Sequence, residues 1–456
     1  MTNYFITTAI PYINAKPHVG HLQEFLLTQQ LVRHLKNQEH KVLWQSGTDD
    51  NSLKNLDSAT KQNIPINDYL ASHIKEFKTL FNDLNLNPDY LVHTAAPGHK
   101  QTVQNFIQAL NQDDLYLKTY QGNYCVGCED FIKDHELADG LCPDHKQSPS
   151  KIQEENIYFN LSKYQTKIKE SITSGRVKIY PKIKQNEILS FLDSGLHDIS
   201  ISRPGVSSPL GVDFPGYPDH KVYVWIDALI NYLSGVNYFN GGDKVWNSSY
   251  KINVIGKNIW KFHAIYWLGL LLSANIDLPQ EIIIHGFLTV GGEKISKSLG
   301  NCGKLEELTA KWSANELGLF LLGKNNYQVD YDFNELELNK FYQQELVGQI
   351  ANLFPRVWTI AQKVGFTLIK TESSVSEEPR DLNKSYHSLL ELAQNLNKQI
   401  NDHKAWSLPP TEAKAHLNDY NQALNLIADR LTLWFPELKD KINNSFQEKV
   451  ILFPKK

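Results

Sequence analysis

Two histidines, His18 and His21, follow the first apolar segment of the chain, with Gly20 between them. Residues three apart share one face of a helix, and a glycine lets a ligand approach the backbone closely. The N-terminus of a helix offers unpaired N–H groups and the positive end of its dipole, which favour a phosphate. The pair predicts a phosphate-binding site, although its spacing alone fits packed or surface histidines equally well.

The segment 294–298 has the sequence KISKS and closely follows Gly291 and Gly292. Its two lysines, Lys294 and Lys297, stand in a Gly- and Ser-rich loop. Two ammonium groups on such a loop suit a polyphosphate whose charge must be stabilised during a reaction. Taken alone, the segment is also typical of a solvated basic loop.

Four metal-ligand residues form two pairs, each with a two-residue gap: Cys125 with Cys128, and Cys142 with His145. This spacing predicts a tetrahedral zinc site without an open position, so the zinc would be structural. The alternative is a cluster of reduced cysteines beside a surface histidine. The fourth cysteine, Cys302, is expected to pack in the interior. This cysteine usage is typical of a reducing compartment, and we expect a cytoplasmic protein.

Apolar and helical patterns place these residues in an α/β framework. The run 4–10 predicts a buried strand, 18–36 a helix with Pro17 at its entrance, and 41–45 a second strand. Strand, helix, strand is typical of the start of a doubly wound α/β domain. The pattern resumes at 222–225 and continues with strands at 251–255 and 281–285 and a helix at 258–274.

Long amphipathic patterns at 335–365, 381–402 and 410–434 then predict a C-terminal helical bundle. We therefore divide the chain into residues 1–116, the first half of the α/β domain; 117–212, an insertion with the cysteine cluster; 213–330, the second half with the KISKS loop; and 331–456, the helical domain. The segment 371–381 is expected to be an exposed connection.

Length and composition exclude some classes of protein. The 456 residues, 41% hydrophobic and 21% charged, fit a globular chain of about three domains. A net charge of −4 argues against a broadly basic surface, but a local basic groove for a specific RNA remains compatible with it. We find no apolar run long enough to cross a bilayer and no signal-peptide pattern, and we expect no membrane partner.

Together, the HVGH segment at 18–21 and the KISKS segment resemble the two signatures of class I aminoacyl-tRNA synthetases. Four further segments resemble methionyl-tRNA synthetases: AIPY at 9–12, YVWIDALINY at 223–232, GKNIWKFHAIYW at 256–267 and HGFLTV at 285–290. The resemblance runs from about residue 4 to 454 and is thinnest in the C-terminal helices. It implies a Rossmann-like doubly wound parallel sheet, an inserted zinc-binding connective domain and an all-α anticodon-binding bundle.

The resemblance also implies roles for individual residues. It assigns catalysis to His18, His21, Lys294, Lys297 and Arg203, and ATP binding to His18, Gly20, His21, Gly256, His285, Gly286, Lys294 and Lys297. It assigns a methionine pocket to Ile10, Tyr12, Asp49, Trp225, Ala228, Tyr232, Ile259, His263 and Trp267, with Asp49 holding the ammonium group. An aromatic wall suits a thioether, although aromatic residues also pack ordinary cores.

The activity implied is formation of methionyl-adenylate from methionine and ATP, followed by transfer of the methionyl group to the 3′ end of tRNA(Met). The implied cofactors are ATP, Mg²⁺ on its phosphates, and one structural Zn²⁺. Asn352, Arg356 and Trp406 match residues that contact the anticodon, whose bases stack on aromatic side chains. Pro355 is expected to kink the helix that presents Arg356. We expect a monomer.

Two positions depart from the family pattern. Asp50 is followed by Asn51 and Ser52 instead of His-Gly, and Asn258 stands where the family has aspartate. Three alternatives stay open: a synthetase for another amino acid, an enzyme that makes an aminoacyl-adenylate for a non-tRNA acceptor, and a non-catalytic tRNA-binding derivative.

Overall fold

The computed structural model describes residues 1–125, 130–132, 134–143, 146–294, 305–371, 378–454 and 456. Its strands are β1 (Asn3–Thr8), β2 (Lys41–Thr48), β3 (Tyr90–His93), β4 (Leu115–Cys125), β5 (Asp130–Ile132), β6 (Ser150–Phe159), β7 (Lys178–Tyr180), β8 (Ile199–Ser200), β9 (Ser202–Pro204), β10 (Asp213–Phe214), β11 (Tyr217–Val222), β12 (Tyr250–Gly256), β13 (Glu281–His285), β14 (Leu288–Val290), β15 (Glu293–Lys294) and β16 (Tyr331–Asp332).

Its α-helices are α1 (Val19–Asn37), α2 (Leu53–Lys61), α3 (Ile66–Asp83), α4 (Pro97–Ala109), α5 (Gln165–Thr173), α6 (Lys182–Asp193), α7 (Val224–Ser234), α8 (Asp243–Ser248), α9 (Leu268–Ser273), α10 (Leu305–Lys311), α11 (Ala314–Gly318), α12 (Glu335–Phe341), α13 (Leu353–Lys363), α14 (Leu382–His403), α15 (Pro410–Trp434) and α16 (Lys439–Asn444). Phe262–Trp267, Leu319–Lys324 and Tyr342–Ala351 are π-helical.

The chain forms two compact units. The first comprises Met1–Pro17 and Glu39–His285, and the second comprises His18–Gln38 and Gly286–Lys456. This division differs from the four ranges drawn from the sequence, because α1 and residues 286–330 group with the C-terminal helices. The four ranges stay a prediction.

The first unit is built on a parallel sheet with the strand order β3-β2-β1-β12-β13-β7. Strands β12 and β13 are buried along nearly their whole length, as expected for parallel strands that are covered on both faces. The order reverses between β1 and β12, and doubly wound sheets bind ligands outside the carboxyl ends of strands at such a point. The predicted Rossmann-like sheet is confirmed.

The structure adds two details to the pattern read from the sequence. Residues 222–225 belong to two elements, because β11 ends at Val222 and α7 begins at Val224, which makes Trp225 helical. A short apolar run does not distinguish a strand from the start of a buried helix. Strand β7 falls inside the predicted insertion yet pairs with β13 through Ile179 and Ile282. Part of the insertion therefore belongs to the main sheet.

The other strands in the insertion and next to it form antiparallel sheets. Strands β5, β4, β6 and β8 form one sheet in that order, and β10, β11 and β9 form another. The pairing of β4 with β6 runs from Leu115 opposite Phe159 to Tyr124 opposite Ser150. Cys125 lies at the tip of this long hairpin. At its other end Phe159 is fully buried in the core of the unit.

The second unit is mainly helical. Helices α14 and α15 match the predicted ranges 381–402 and 410–434 to within a residue or two. They are in contact, and their buried residues include Leu389, Leu396 and Leu424. The pattern at 335–365 is divided, because the helix is interrupted at Asn352, three residues before Pro355. A proline lacks the N–H that would continue the ladder. Within the described ranges, no helix combines the length and apolarity needed to cross a membrane.

Candidate active site

Residues that follow the parallel strands meet at one edge of the sheet. Ile10 and Tyr12 follow β1, Asp49 follows β2, and Gly256 ends β12. Tyr12 forms an isolated parallel bridge with Asp49, and the Asp49 N–H donates to the Pro11 carbonyl at 2.9 Å. The predicted carboxylate therefore lies beside the predicted pocket loop.

The Asp49 carboxylate is buried, with the residue only 2% exposed. Its Oδ1 accepts the Asn51 N–H at 3.2 Å, and the Lys54 ammonium lies 4.0 Å from the centre of the Tyr12 ring. A buried carboxylate requires hydrogen-bond donors or a counter-ion. A substrate ammonium group would supply both.

Helix α7 provides an aromatic wall. Trp225, Ala228 and Tyr232 share one face because they lie at positions i, i+3 and i+7. The Trp225 ring meets Tyr12 edge-to-face at 5.9 Å and stacks on Phe262 at 4.0 Å. Such rings offer the apolar, polarisable surface that a thioether prefers.

His263 contacts the aromatic wall through Tyr232. The Tyr232 O–H donates to His263 Nε2 at 2.7 Å, and His263 Nδ1 donates to the Ile259 carbonyl at 2.9 Å. Burial lowers the pKa of His263 to about 4, so its ring is neutral near pH 7. Trp267 meets Tyr232 edge-to-face at 6.0 Å. These four predicted residues form one contact group.

We expect Tyr232→Phe to lower the free energy of unfolding by ~1–3 kcal/mol, because it leaves the buried Nε2 of His263 without a donor. The concentration of the small substrate that gives half-maximal activity should rise as His263 loses its orientation. Urea denaturation and steady-state kinetics measure the two effects. Tyr4→Phe on β1, whose ring packs on Tyr250 at 5.3 Å, is the control, and an equal loss in both variants would contradict the prediction.

Sequence reasoning missed a buried polar network behind the wall. Asn51 Nδ2 donates to Asp227 Oδ2 at 2.8 Å and to the Thr94 carbonyl at 3.1 Å. His99 Nε2 lies 2.9 Å from Asp227 Oδ1. A carboxylate inside the apolar stretch 224–233 was the available signal, since a buried charge requires partners. Asn51, noted as a departure, thus has a definite structural place.

Burial shifts the pKa values of two neighbouring side chains. Burial raises the pKa of Asp50 to about 6, while the Thr48 hydroxyl and the Ala95 N–H lower it by donating to the carboxylate. Burial, with a smaller contribution from the charge of Lys78, lowers the pKa of His93 to about 4. The His93 ring is therefore neutral near pH 7.

The predicted phosphate-binding histidines begin α1 in the second unit. His18 Nδ1 accepts the Gly20 N–H at 3.2 Å, and His21 Nδ1 accepts the His18 N–H at 3.1 Å. Their rings stack with centroids 4.0 Å apart. Burial, and secondly the charge of His18, hold the pKa of His21 well below its usual value. Because Nδ1 of each ring accepts a backbone N–H, each ring carries a proton on Nε2.

The other predicted ATP-binding residues lie at strand ends. Gly256 and His285 are paired at the ends of β12 and β13 in the first unit. In the second unit, a Cβ on Gly286 would lie 2.3 Å from the Val329 carbonyl, so only glycine fits. The backbone of Lys294 ends β15. Lys297, predicted with it, lies outside the described residues.

Comparison with known proteins establishes the family. The model of the family described as tRNA synthetases class I (M) matches residues 4–151 and 137–358. The chain belongs to the class I methionyl-tRNA synthetases. Its fold resembles the solved structure of Mycobacterium tuberculosis methionyl-tRNA synthetase in complex with methionyl-adenylate, with a TM-score of 0.86 and 27% identity over 97% of this chain and 93% of that one.

Two curated methionine–tRNA ligases show the extent of the likeness. The protein of Helicobacter pylori is 33% identical over 414 residues, which are 89% of this chain and 63% of that protein. The chain thus spans less than two thirds of that relative. The protein of Fusobacterium nucleatum is 30% identical over 475 residues, which are 97% of this chain and 74% of that protein.

Arg203 lies in a buried ion pair. The resemblance to methionyl-tRNA synthetases predicts a catalytic role for it. Its Nε and Nη2 donate to the two carboxylate oxygens of Glu154 at 2.7 and 2.9 Å, and its guanidinium lies 4.2 Å from the Tyr124 ring centre. Ser207 also donates to Glu154 at 2.8 Å. The contacts described here hold the insertion together, and the catalytic role stays a prediction.

Two of the four predicted zinc ligands fall within the described residues. Cys125 and Cys142 are both buried and belong to one small cluster with Ile132 and Leu137. Cys128 and His145 lie outside the described residues. Among the side chains that the structure does describe, no group of three or more potential ligands is found. The two described thiols share one small buried cluster, and the zinc site stays a prediction.

The predicted anticodon residues lie at one end of the helices of the second unit. Asn352 and Arg356 line a groove of about 490 Å³. Arg356 Nη1 donates to Asn397 Oδ1 at 3.1 Å, and its guanidinium lies 5.6 Å from the Trp406 ring centre. Trp406 is 44% exposed. The structure brings these three predicted residues together and leaves the tryptophan open to solvent.

A larger cavity of about 680 Å³ lies in the first unit, and its lining includes Arg203 but none of the residues predicted to bind methionine. Aromatic and cationic side chains line it, among them Tyr116, Lys118, Tyr158, Phe191 and Lys261, together with the carboxylates of Glu136 and Asp198. Aromatic faces and positive charges together are typical of grooves for single-stranded nucleic acid.

Proposed function

We propose that the chain is a methionine–tRNA ligase, which joins methionine to ATP and then passes the methionyl group to tRNA(Met). The observation that carries the proposal is the buried Asp49 carboxylate beside the aromatic wall of Tyr12, Trp225 and Tyr232, at the carboxyl ends of the parallel strands. The carboxylate suits the ammonium of an amino acid, and the wall suits an apolar sulfur-containing side chain.

In the first step, a methionine carboxylate oxygen attacks the α-phosphorus of ATP in line, and the bond to the pyrophosphate oxygen breaks. The carboxylate is already a nucleophile, so catalysis requires positioning and charge stabilisation rather than a general base. We propose that the Nε2–H groups of His18 and His21 donate to phosphate oxygens and that Lys294 and Lys297 hold the triphosphate, with Mg²⁺ on the phosphates.

In the second step, a ribose hydroxyl at the 3′ end of tRNA attacks the adenylate carbonyl carbon, and AMP leaves. The cavity lined by Tyr116, Lys118 and Phe191 supports a place for the unpaired 3′ end, because stacking and backbone charges are its main means of recognition. We further propose a cytoplasmic monomer, on the basis of the cysteine pattern and of family likeness.

The test of the proposed function is exchange of labelled pyrophosphate into ATP with each of the twenty amino acids. Exchange with methionine alone is the expected result. Exchange with another amino acid would overturn the pocket assignment and keep the synthetase chemistry. Absence of any exchange would overturn the enzyme proposal. Charging of tRNA(Met) then distinguishes a tRNA ligase from an enzyme with another acceptor.

We propose one structural zinc on Cys125, Cys128, Cys142 and His145. The described thiols fit it, because both are buried in one small cluster and thiolates are preferred zinc ligands. The metal would bind the tip of the hairpin to the segment at Cys142. Its chemistry would be structural only.

The purified protein is expected to hold about one zinc per chain, and Cys142→Ser should lose nearly all of it. Elemental analysis of the dialysed protein measures the zinc content. Limited proteolysis should then cut within residues 115–160, because the hairpin tip loses its crosslink. Cys302→Ser is the matched control and should retain the metal. Full zinc content in Cys142→Ser would contradict the assignment.

Arg356→Ala is expected to raise the tRNA concentration for half-maximal charging by ~10–100-fold, since contacts to single-stranded bases contribute ~1–3 kcal/mol each. Pyrophosphate exchange should stay unchanged, because that step requires no tRNA. Arg380→Ala, which removes an arginine paired with Glu378 in the same unit, is the control. An equal effect of both substitutions on charging would argue against an anticodon contact at Arg356.

A further inference from the structure

A line of buried polar contacts leads to the Asp49 carboxylate from the rear of the pocket. Ser234 Oγ lies 2.8 Å from His99 Nδ1, and His99 Nε2 lies 2.9 Å from Asp227 Oδ1. Asp227 Oδ2 accepts from Asn51 Nδ2 at 2.8 Å, and the Asn51 N–H donates to Asp49 Oδ1 at 3.2 Å. We call these five residues the Asp49 relay.

The relay joins three separate elements of the first unit. His99 is on α4, Asp227 and Ser234 are on α7, and Asn51 follows β2. On α7, the relay residues lie on the face opposite the one that carries Trp225 and Tyr232, as the helical period of 3.6 requires. The same helix therefore presents the aromatic wall on one side and is bound to the Asp49 segment on the other.

The side chains in the middle of the relay are buried, which favours one arrangement of their hydrogen bonds. His99 and Asn51 are each 3% exposed, and Asp227 is fully buried. Each oxygen of the Asp227 carboxylate has its own partner, and Asn51 Nδ2 donates both to Asp227 and to the Thr94 carbonyl. A buried polar group that loses its partner is unfavourable, so fully satisfied networks of this kind hold one arrangement.

We propose that His99 and Asp227 are positioning residues which act through Asn51 to orient the Asp49 carboxylate toward the substrate's α-ammonium group. The inference deepens the proposed function and rests on it. Neither residue touches the substrate. Their effect is to fix the distance between the carboxylate and the aromatic wall, so that the ammonium and the side chain of methionine are bound together.

The test compares two ligands, methionine and 4-(methylthio)butanoate, which is methionine without its amino group. Their dissociation constants are measured by calorimetry on the full chain. The ratio of the two constants reports the ammonium contact, because the rest of the ligand is the same. For the unchanged protein we expect methionine to bind ~10–100-fold more tightly, the range of a charge-assisted contact.

Asp227→Asn and His99→Leu are each expected to reduce this ratio by ~10-fold, since a carboxylate held in the wrong direction gains little from the ammonium. His99→Gln should retain most of the ratio, because its amide nitrogen reaches roughly the place of Nε2. Thermal unfolding is recorded for each variant. Two substitutions at His99 keep the test valid if Asp227→Asn does not fold.

Gln45→Leu is the matched structural control. Gln45 Nε2 donates to the carbonyl and the side-chain oxygen of Asn231 at 2.9 Å each, so it also ties α7 to β2 but has no link to Asp49. It should lower the unfolding temperature and leave the ligand ratio unchanged. A ratio that falls as much in Gln45→Leu, or that stays constant in both His99→Leu and Asp227→Asn, overturns the inference. Failure of the unchanged protein to bind methionine overturns the proposed function itself, and the two failures are thus distinct.

Discussion

Asp49→Asn is expected to raise the methionine concentration for half-maximal pyrophosphate exchange by ~100-fold or more. Removing one member of a buried charge pair costs ~2–5 kcal/mol, which corresponds to ~30-fold to ~4,000-fold in binding. The residue is 2% exposed, so solvent does not replace the lost contact. The maximal rate should change less, because the carboxylate binds the ammonium and not the phosphates.

Kinetics with methionine and with ATP as the varied substrate separate these effects. The ATP dependence should stay within about twofold. Asp57→Asn, which neutralises an exposed carboxylate on α2, is the control for a general change in charge. If Asp49→Asn leaves the methionine dependence as it is in the unchanged protein, the ammonium site is elsewhere.

Gly47→Ala is expected to lower the free energy of unfolding by at least ~3 kcal/mol and to reduce the soluble yield. A Cβ at this position would lie 2.1 Å from the carbonyl oxygen of Val92, its partner on β3. The obstacle is backbone, so relief requires β2 and β3 to separate. Because Asp49 follows two residues later, methionine binding should weaken as well.

Urea denaturation with two probes measures the loss. Gly98→Ala is the matched control, since a Cβ there meets nothing within 4 Å and alanine is a better helix former than glycine by up to ~1 kcal/mol. It should be neutral or slightly stabilising. A Gly47→Ala protein as stable as Gly98→Ala would show that the two strands separate at little cost.

The apolar and helical patterns predicted those strands and helices whose own residues carry a clear hydrophobic periodicity. The predicted strand at 4–10 became β1, and α15 matches 410–434. Strand β2 continues beyond the predicted residue 45 to Thr48, because pairing with β1 and β3 extends a strand through polar residues. Strand β7 has three residues and is defined by pairing with β13, about a hundred residues later. No local pattern reports such a partner.

At the candidate site, too, some residues could be predicted from the sequence, whereas the contacts between distant elements could not. Resemblance predicted Tyr12, Asp49 and Trp225, and the structure places them in contact or close to it. It did not predict the link from Asn51 through Asp227 to His99, because the three side chains come from separate elements and only packing brings them together. Residue types identify chemistry, whereas supporting hydrogen bonds depend on long-range geometry.

The three residues of β7 limit how this molecule can be shortened. A trimmed protein that lacked residues 117–212 would expose the free edge of β13, whose N–H and C=O groups now pair with Lys178–Tyr180. Exposed edges of apolar strands are templates for self-association. A deletion confined to the hairpin, from within β4 to within β6, leaves that edge covered. The hairpin in the first half of the insertion can therefore be shortened without uncovering β13. The second half supplies β7, the strand that covers its edge.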